Sequence, residues 1–221
     1  PLNGNLPWPA EFRSEQKRER ERLRALRDVA KHLPYARKTF RRAALVLAGF
    51  EHTMRELRPL APGRVVNFPE IGYDPTIFHA DRERPSFSGP GPFRFLFAGR
   101  LVPYKLPDVA VLAFADAPEL AGHSLHVVGD GPEMERLRQI VAERGLQDRV
   151  HFEGRRNQSE LAGMMRDFDG FVFPSIRELG AGVVIEAMAC GMACFVANYG
   201  APGHLAGRCL LYTSPSPRDK R

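Results

Sequence analysis

Two glutamates with seven residues between them, Glu178 and Glu186, flank a loop that contains Gly180, Ala181, Gly182 and Val183. Before this loop, the apolar run at 170–173 reads as a buried strand, which Pro174 ends because it has no N–H to give a ladder. After it, residues 183–189 suit a helix, with Gly191 a plausible stop. A helix that starts behind a glycine-bearing loop offers unpaired N–H groups and the positive end of its dipole, which suits a phosphate. Glu178 and Glu186 cannot hold phosphate, since like charges repel, but they can accept hydrogen bonds from hydroxyls. The chemistry indicated is therefore recognition of a ligand with both phosphate and sugar hydroxyls. A plainer reading leaves Glu178 as a solvated loop charge and Glu186 as a surface or capping residue, and the loop alone does not separate the two.

The elements that must position this loop are a regular strand–helix series. The pattern predicts strands at 93–98, 125–128, 150–152, 170–173 and 193–196, alternating with helices at 107–116, 133–144, 159–168 and 183–189. Five strands in such alternation indicate a doubly wound, Rossmann-like parallel α/β sheet, whose ligands bind beyond the carboxyl ends of the strands. Arg100, Gly129, Arg155 and Glu178 all fall just after predicted strand ends, on one rim. Upstream, the pattern predicts helices at 14–33 (ended by Pro34), 37–43 and 53–57, with strands at 44–48 and 64–68. Residues 81–92, rich in Pro, Gly and Ser, read as a linker, and the segment from Gly200 to Gly203 reads as a loop carrying a surface His204.

The chain of 221 residues is ample for one large domain or two small ones, and it has no apolar run of the ~20 residues that a membrane span needs. Beginning at Pro1 without Met, it is expected to be a fragment or processed product. Cys190, Cys194 and Cys209 lack metal-ligand spacing and read as reduced thiols, which fits the cytosol. The net charge of +6 is uneven: residues 13–64 hold 15 Lys and Arg against 6 Asp and Glu, and the rest is net −3. A basic first third leaves peripheral contact with anionic membrane at its inner face open; a solvated helix surface laced by pairs such as Glu15–Arg18, Glu19–Arg22 and Glu21–Arg24 is the simpler reading. No aromatic residues interleave with these charges as a nucleic-acid groove would want, so no nucleic-acid partner is expected.

Glu178 and Glu186 followed by Ala187-Met188-Ala189-Cys190-Gly191, with Gly99-Arg100-Leu101-Val102-Pro103-Tyr104-Lys105 and Gly129-Asp130-Gly131-Pro132 upstream, resemble the retaining glycosyltransferases of family 4, of GT-B fold, over roughly residues 34–207. The resemblance implies a hexosyltransferase that uses a nucleotide-diphosphate sugar as donor substrate, with no metal or other cofactor and with retention at the anomeric carbon. It assigns 1–80 to the end of an N-terminal acceptor-side domain, 93–208 to the donor domain, and leaves 209–221 as a tail that departs from the family and reads as non-native. It further implies that Arg100 and Lys105 neutralise the leaving diphosphate, where an Arg fork and a Lys point charge suit developing negative charge. Glu186 would accept the ribose hydroxyls, Glu178 the hydroxyls of the transferred sugar, and the loop with Arg155 and Asn157 would contact the base; Gly99, Gly129, Gly180, Ala181, Gly182 and Val183 complete the donor set. The loop departs from the family pattern in placing Gly180 where an aromatic often stands. Asp167-Phe168-Asp169 has the spacing of a metal-binding Asp-x-Asp, but its place between a helix and a buried strand predicts a turn or cap role. The acceptor is not indicated. A nicotinamide-binding protein is set aside, since no glycine fingerprint follows the first strand; a non-catalytic basic module for anionic membrane or nucleic acid, and an inactive donor-binding fragment, remain as alternatives.

Overall fold

Every strand predicted downstream of residue 93 forms, for the reason that each is an apolar run too short for a helix and closed by turn residues. The computed structural model describes residues 6–19, 33–68, 71–81 and 91–206. In chain order these comprise α1 (Arg13–Arg18), α2 (Pro34–Arg42), β1 (Val46–Ala48), α3 (Glu51–Leu57) and β2 (Val65–Asn67), followed by β3 (Arg94–Ala98), α4 (Pro107–Asp116), β4 (Ser124–Val128), α5 (Met134–Glu143), β5 (Val150–Gly154), α6 (Gln158–Asp167), β6 (Gly170–Phe173), α7 (Gly182–Ala189), β7 (Ala193–Val196) and α8 (Gly200–Ala206).

The main sheet has the order β5-β4-β3-β6-β7 with every pair parallel. From the central neighbours β3 and β6 the chain winds outward in opposite directions, so the strand order reverses between them, which is where a doubly wound sheet leaves a crevice. Burial follows position. Leu96, Phe97 and Ala98 of central β3 are buried in succession, as a strand covered on both faces requires, whereas edge strand β5 is buried only at Val150. Phe97, Phe114, Phe171, Phe173 and Leu125 are among the largest fully buried side chains. Cys190 and Cys194 are buried thiols of this core, and Cys209 lies outside the described residues.

A smaller core joins β1 and β2, which pair in parallel, to α2 and α3 through Phe40, Ala48, Met54, Leu57 and Ala61. A third cluster seats Trp8 on Leu106 and Ile176, with the Arg177 guanidinium 5.0 Å from the Trp8 ring centre.

Several expectations are corrected. The helix expected at 37–43 starts earlier, at Pro34, whose missing N–H costs nothing in a first turn. Helix α1 is described only to Arg18, so the remainder of the expected 14–33 helix, and the Glu19–Arg22 and Glu21–Arg24 pairs, lie outside the described residues. Arg18 is no simple surface charge: besides Glu15 at 3.4 Å it reaches Glu133 at 2.9 Å and Asp108 at 3.5 Å, two buried carboxylates also held by Arg136. The Gly200–Gly203 stretch is the first turn of α8, where Pro202 needs no N–H acceptor, and His204 is an exposed helical residue. Among the described residues no helix is long and apolar enough to cross a membrane.

Candidate functional site

A cavity of about 530 Å³ opens at the carboxyl ends of β3, β4 and β6, the place where the strand order reverses. Its back is the strand ends themselves, Ala98, Val128 and Phe173. Gly129 lets two strand ends approach: its φ is +136°, and a Cβ there would stand 1.9 Å from the carbonyl oxygen of Gly99. Gly99, Arg100 and Lys105 line the β3 side, and Glu178, Ala181, Gly182, Val183 and Glu186 the β6 side. The amides of Gly182 and Val183 fall in the first turn of α7, where an α-helix has no internal acceptor, so two N–H donors and the dipole end face the cavity. Ala181, just before them, adopts a left-handed φ of +48°, a conformation that costs an L-residue about 1–2 kcal/mol and sets the direction in which α7 leaves the loop.

The charged groups are arranged in two states of readiness. Lys105 Nζ is paired with Glu178 Oε1 and sits 4.8 Å above the Phe173 ring centre. Buried Ser175 brings its Oγ within 3.1 Å of the same Glu178 oxygen, and the Ile176 N–H donates to the Tyr104 carbonyl at 3.0 Å, so the β6 loop braces the β3 loop. Arg100 is exposed; its guanidinium donates to the Tyr104 hydroxyl at 3.2 Å, and that hydrogen bond raises its pKa above the ordinary value. Glu186 is half-buried with no hydrogen-bond or ion-pair partner among the described residues, and burial pushes its carboxyl above the usual range.

Most of the expected residues are thus brought together, and two are not. Asn157 caps α6: its Oδ1 accepts from the Glu160 N–H and its own N–H donates to Glu160 Oε2, both at 2.9 Å. Gly180 does not line the cavity; a Cβ there would meet Ile71 Cδ1 at 2.2 Å, with Phe50 nearby, so no larger side chain fits at this position without displacing Ile71. Arg155 does line the cavity but is largely exposed, 3.7 Å from Asp130. Unanticipated lining residues include Asp130, Arg156 and Leu161. The Gly129–Pro132 motif and the Arg155–Arg156 doublet signalled the first two, while Leu161 carries no signal beyond helix periodicity. Asp169 accepts the Arg94 N–H at 2.7 Å and returns its own N–H to the Arg94 carbonyl at 2.8 Å, a structural tie between strand starts.

Comparison with known proteins gives the family and the fold. Residues 80–208 match the family of glycosyl transferases group 1, and the chain belongs to that family. It is 36% identical over 115 residues to the D-inositol 3-phosphate glycosyltransferase of Streptomyces bingchenggensis, covering 48% of this chain and 25% of that protein. It is 38% identical over 109 residues to the 2-deoxystreptamine glucosyltransferase of Streptomyces kanamyceticus, covering 48% and 27%. The chain thus spans about a quarter of the length of these curated relatives. Among solved structures, the pneumococcal O-GlcNAc transferase GtfA in complex with UDP and GlcNAc superposes with a TM-score of 0.65 at 18% identity, over 85% of this chain and 37% of that one. HepE of Anabaena in complex with UDP superposes with a TM-score of 0.63 at 22% identity, over 80% and 52%. These two likenesses place the fold with the GT-B glycosyltransferases, of which this chain holds a part.

Proposed function

We propose that this chain carries the donor site of a retaining, metal-independent glycosyltransferase that transfers a hexose from a nucleoside-diphosphate sugar. The observation that carries the reading is the convergence of two cations, a helix N-terminus and two hydroxyl-accepting carboxylates on one cavity where the strand order reverses. Arg100, Lys105 and the Gly182 and Val183 amides hold the diphosphate and stabilise the negative charge that grows as the anomeric C–O bond breaks. Glu186 accepts from ribose hydroxyls and Glu178 from the sugar. In the transfer, an acceptor hydroxyl oxygen bonds to the anomeric carbon on the face the diphosphate leaves. The bonding pair of the broken C–O bond departs with the diphosphate, and the hydroxyl proton passes to a phosphate oxygen. Residues 93–208 are the donor unit and 1–80 the end of an acceptor-side unit, in a protein of the cytoplasm. UDP is the favoured nucleotide because solved proteins of the same fold were crystallised with it. Anionic-membrane contact at the inner face would use α2, whose Arg37, Lys38, Arg41 and Arg42 are all exposed.

The test is calorimetric titration of the chain with UDP, GDP and ADP, with and without EDTA. One nucleotide should bind in both conditions, and Arg100→Ala should weaken it by about 1.5–3 kcal/mol, the worth of a charge-assisted hydrogen bond. Binding that EDTA abolishes, or that Arg100→Ala leaves unchanged, overturns the assignment.

A further inference from the structure

Residues 6–12 line no part of the donor cavity, yet they are tied to the loops that carry its charged groups. The Leu6 carbonyl accepts from Arg177 Nε at 3.2 Å, and the Pro7 carbonyl accepts from the Tyr199 hydroxyl at 2.8 Å. Trp8 is buried against Leu106 and Ile176, with Phe12 and Tyr104 packed on the same cluster. Two of these contacts reach the site's own loops: Leu106 follows Lys105, and Ile176 and Arg177 lie between Ser175 and Glu178. Farther along, Arg18 fastens the same stretch of chain to Glu133 at 2.9 Å.

Leu106 shows what this clasp does. Its φ is +50° and its ψ +46°, the left-handed region in which the Cβ of an L-residue crowds the following carbonyl. Pro107 adds a second obstacle, because a residue before proline is drawn to extended backbone. Neither local preference places Leu106 there, and a strained residue persists only where its surroundings fix it. Leu106 is 3% exposed, and the other buried side chains of its cluster are Trp8 and Ile176. The turn that Leu106 closes, Pro103–Lys105, presents Lys105 to the cavity, and from Leu106 the chain enters α4 directly. Return of Leu106 to an ordinary φ would redirect that turn, and Lys105 with it. We infer that Trp8 is a positioning residue, which holds Leu106 in the left-handed conformation that aims Lys105 at the diphosphate of the donor. The ligand named here rests on the donor reading proposed above; the clasp on the turn does not.

The experiment uses the whole chain as wild type, Trp8→Ala, Trp8→Phe, and Trp8→Ala combined with Leu106→Gly. UDP is titrated by calorimetry, uridine by ligand-observed NMR, and amide hydrogen exchange is followed without ligand. Trp8→Ala should weaken UDP by about tenfold and leave uridine within about twofold, since only the diphosphate meets Lys105. The Lys105 and Leu106 amides, which donate to the Val102 and Pro103 carbonyls, should exchange about tenfold faster, while the Leu125 amide of β4 keeps its protection. Trp8→Phe, which retains a ring, should bind UDP within about threefold of wild type. Adding Leu106→Gly to Trp8→Ala should restore most of the lost affinity, because glycine enters the left-handed region with no Cβ to crowd. A general loss of packing would instead be deepened by that second change. Unchanged UDP affinity in Trp8→Ala, an equal loss of uridine, or a further loss on adding Leu106→Gly each overturns the inference. Wild type that binds UDP no more tightly than uridine would sink the donor reading by itself. Trp8 would then keep its hold on the turn if the Lys105 and Leu106 amides still exchange faster in Trp8→Ala, and lose it if they do not.

Discussion

The loop after β6 and the second turn of α7 each bring one carboxylate to the same cavity, in opposite electrostatic conditions. Glu178 is neutralised in advance by Lys105 and steadied by Ser175, itself fully buried. Glu186, eight residues on, is partly desolvated and has no partner among the described residues. The loop carboxylate is therefore an element of the fold as well as of the cavity, whereas the helix carboxylate is a cost that the fold bears and that, on the proposed function, a ligand's hydroxyls would offset. Sites pre-organised for a charged, hydroxylated ligand are expected to contain both kinds of group, one that sets geometry and one left to be satisfied on binding. Both can be tested, because removing the charge should shift stability in opposite directions at the two positions.

The largest effect is expected for Lys105→Met. The Lys105 and Glu178 side chains are only 13% and 15% exposed, so removing the cation strands a carboxylate where water reaches it poorly. A fully buried pair broken in this way costs about 3–5 kcal/mol; with partial exposure, about 2–3 kcal/mol is expected from chemical denaturation, together with loss of nucleotide-diphosphate binding. Unchanged stability would mean that Glu178 is solvated and that the two carboxylates do not differ. Glu178→Gln should cost less, about 1–2 kcal/mol, because the amide can still accept from Ser175 and Lys105 keeps the Phe173 ring beneath it. With its competitor gone, Lys105 should bind UDP at least as tightly as before, while any affinity advantage of UDP-glucose over UDP disappears. An advantage that persists in calorimetry would remove Glu178 from the sugar.

The difference between the two regions also marks how far the residues alone disclose the site. The five strands and the strand–loop–helix unit around Gly182 were legible because apolar runs, Pro174 and paired glycines act locally, and strand ends then place Arg100, Gly129 and Glu178 on one rim whatever the strand order. What stayed hidden depends on contacts between distant segments. Nothing local says that Asn157 would be spent on the Glu160 cap, that Ile71 would fill the space beside Gly180, or that Trp8 would pack on Leu106 and Ile176. The start of α2 at Pro34 and the helical state of the Gly200–Pro202 stretch were hidden for a related reason. Pro and Gly break helices in their interiors but are tolerated in a first turn, and composition does not say on which side of a boundary a residue falls. The pairing of Lys105 with Glu178 joins residues 73 positions apart, and no local signal brings them together.

The smallest effect and the sharpest test of the comparison is Glu186→Gln. Burial raises the Glu186 pKa above its unfolded value, so the protonated form is favoured in the folded chain. The stabilising influence of protonation is then fully present below the unfolded pKa of about 4.5 and is lost as pH rises through the folded value. At neutral pH the wild-type carboxylate is ionised at a cost that a glutamine does not bear. Without ligand, Glu186→Gln should therefore melt above wild type at pH 7, and the two curves should converge as pH falls below about 4.5. With saturating UDP the order should narrow or invert, since ribose hydroxyls donate more strongly to a carboxylate than to an amide. A Glu186→Gln variant less stable than wild type at pH 7 without ligand would show that the carboxylate already has a partner, and the contrast with Glu178 would collapse.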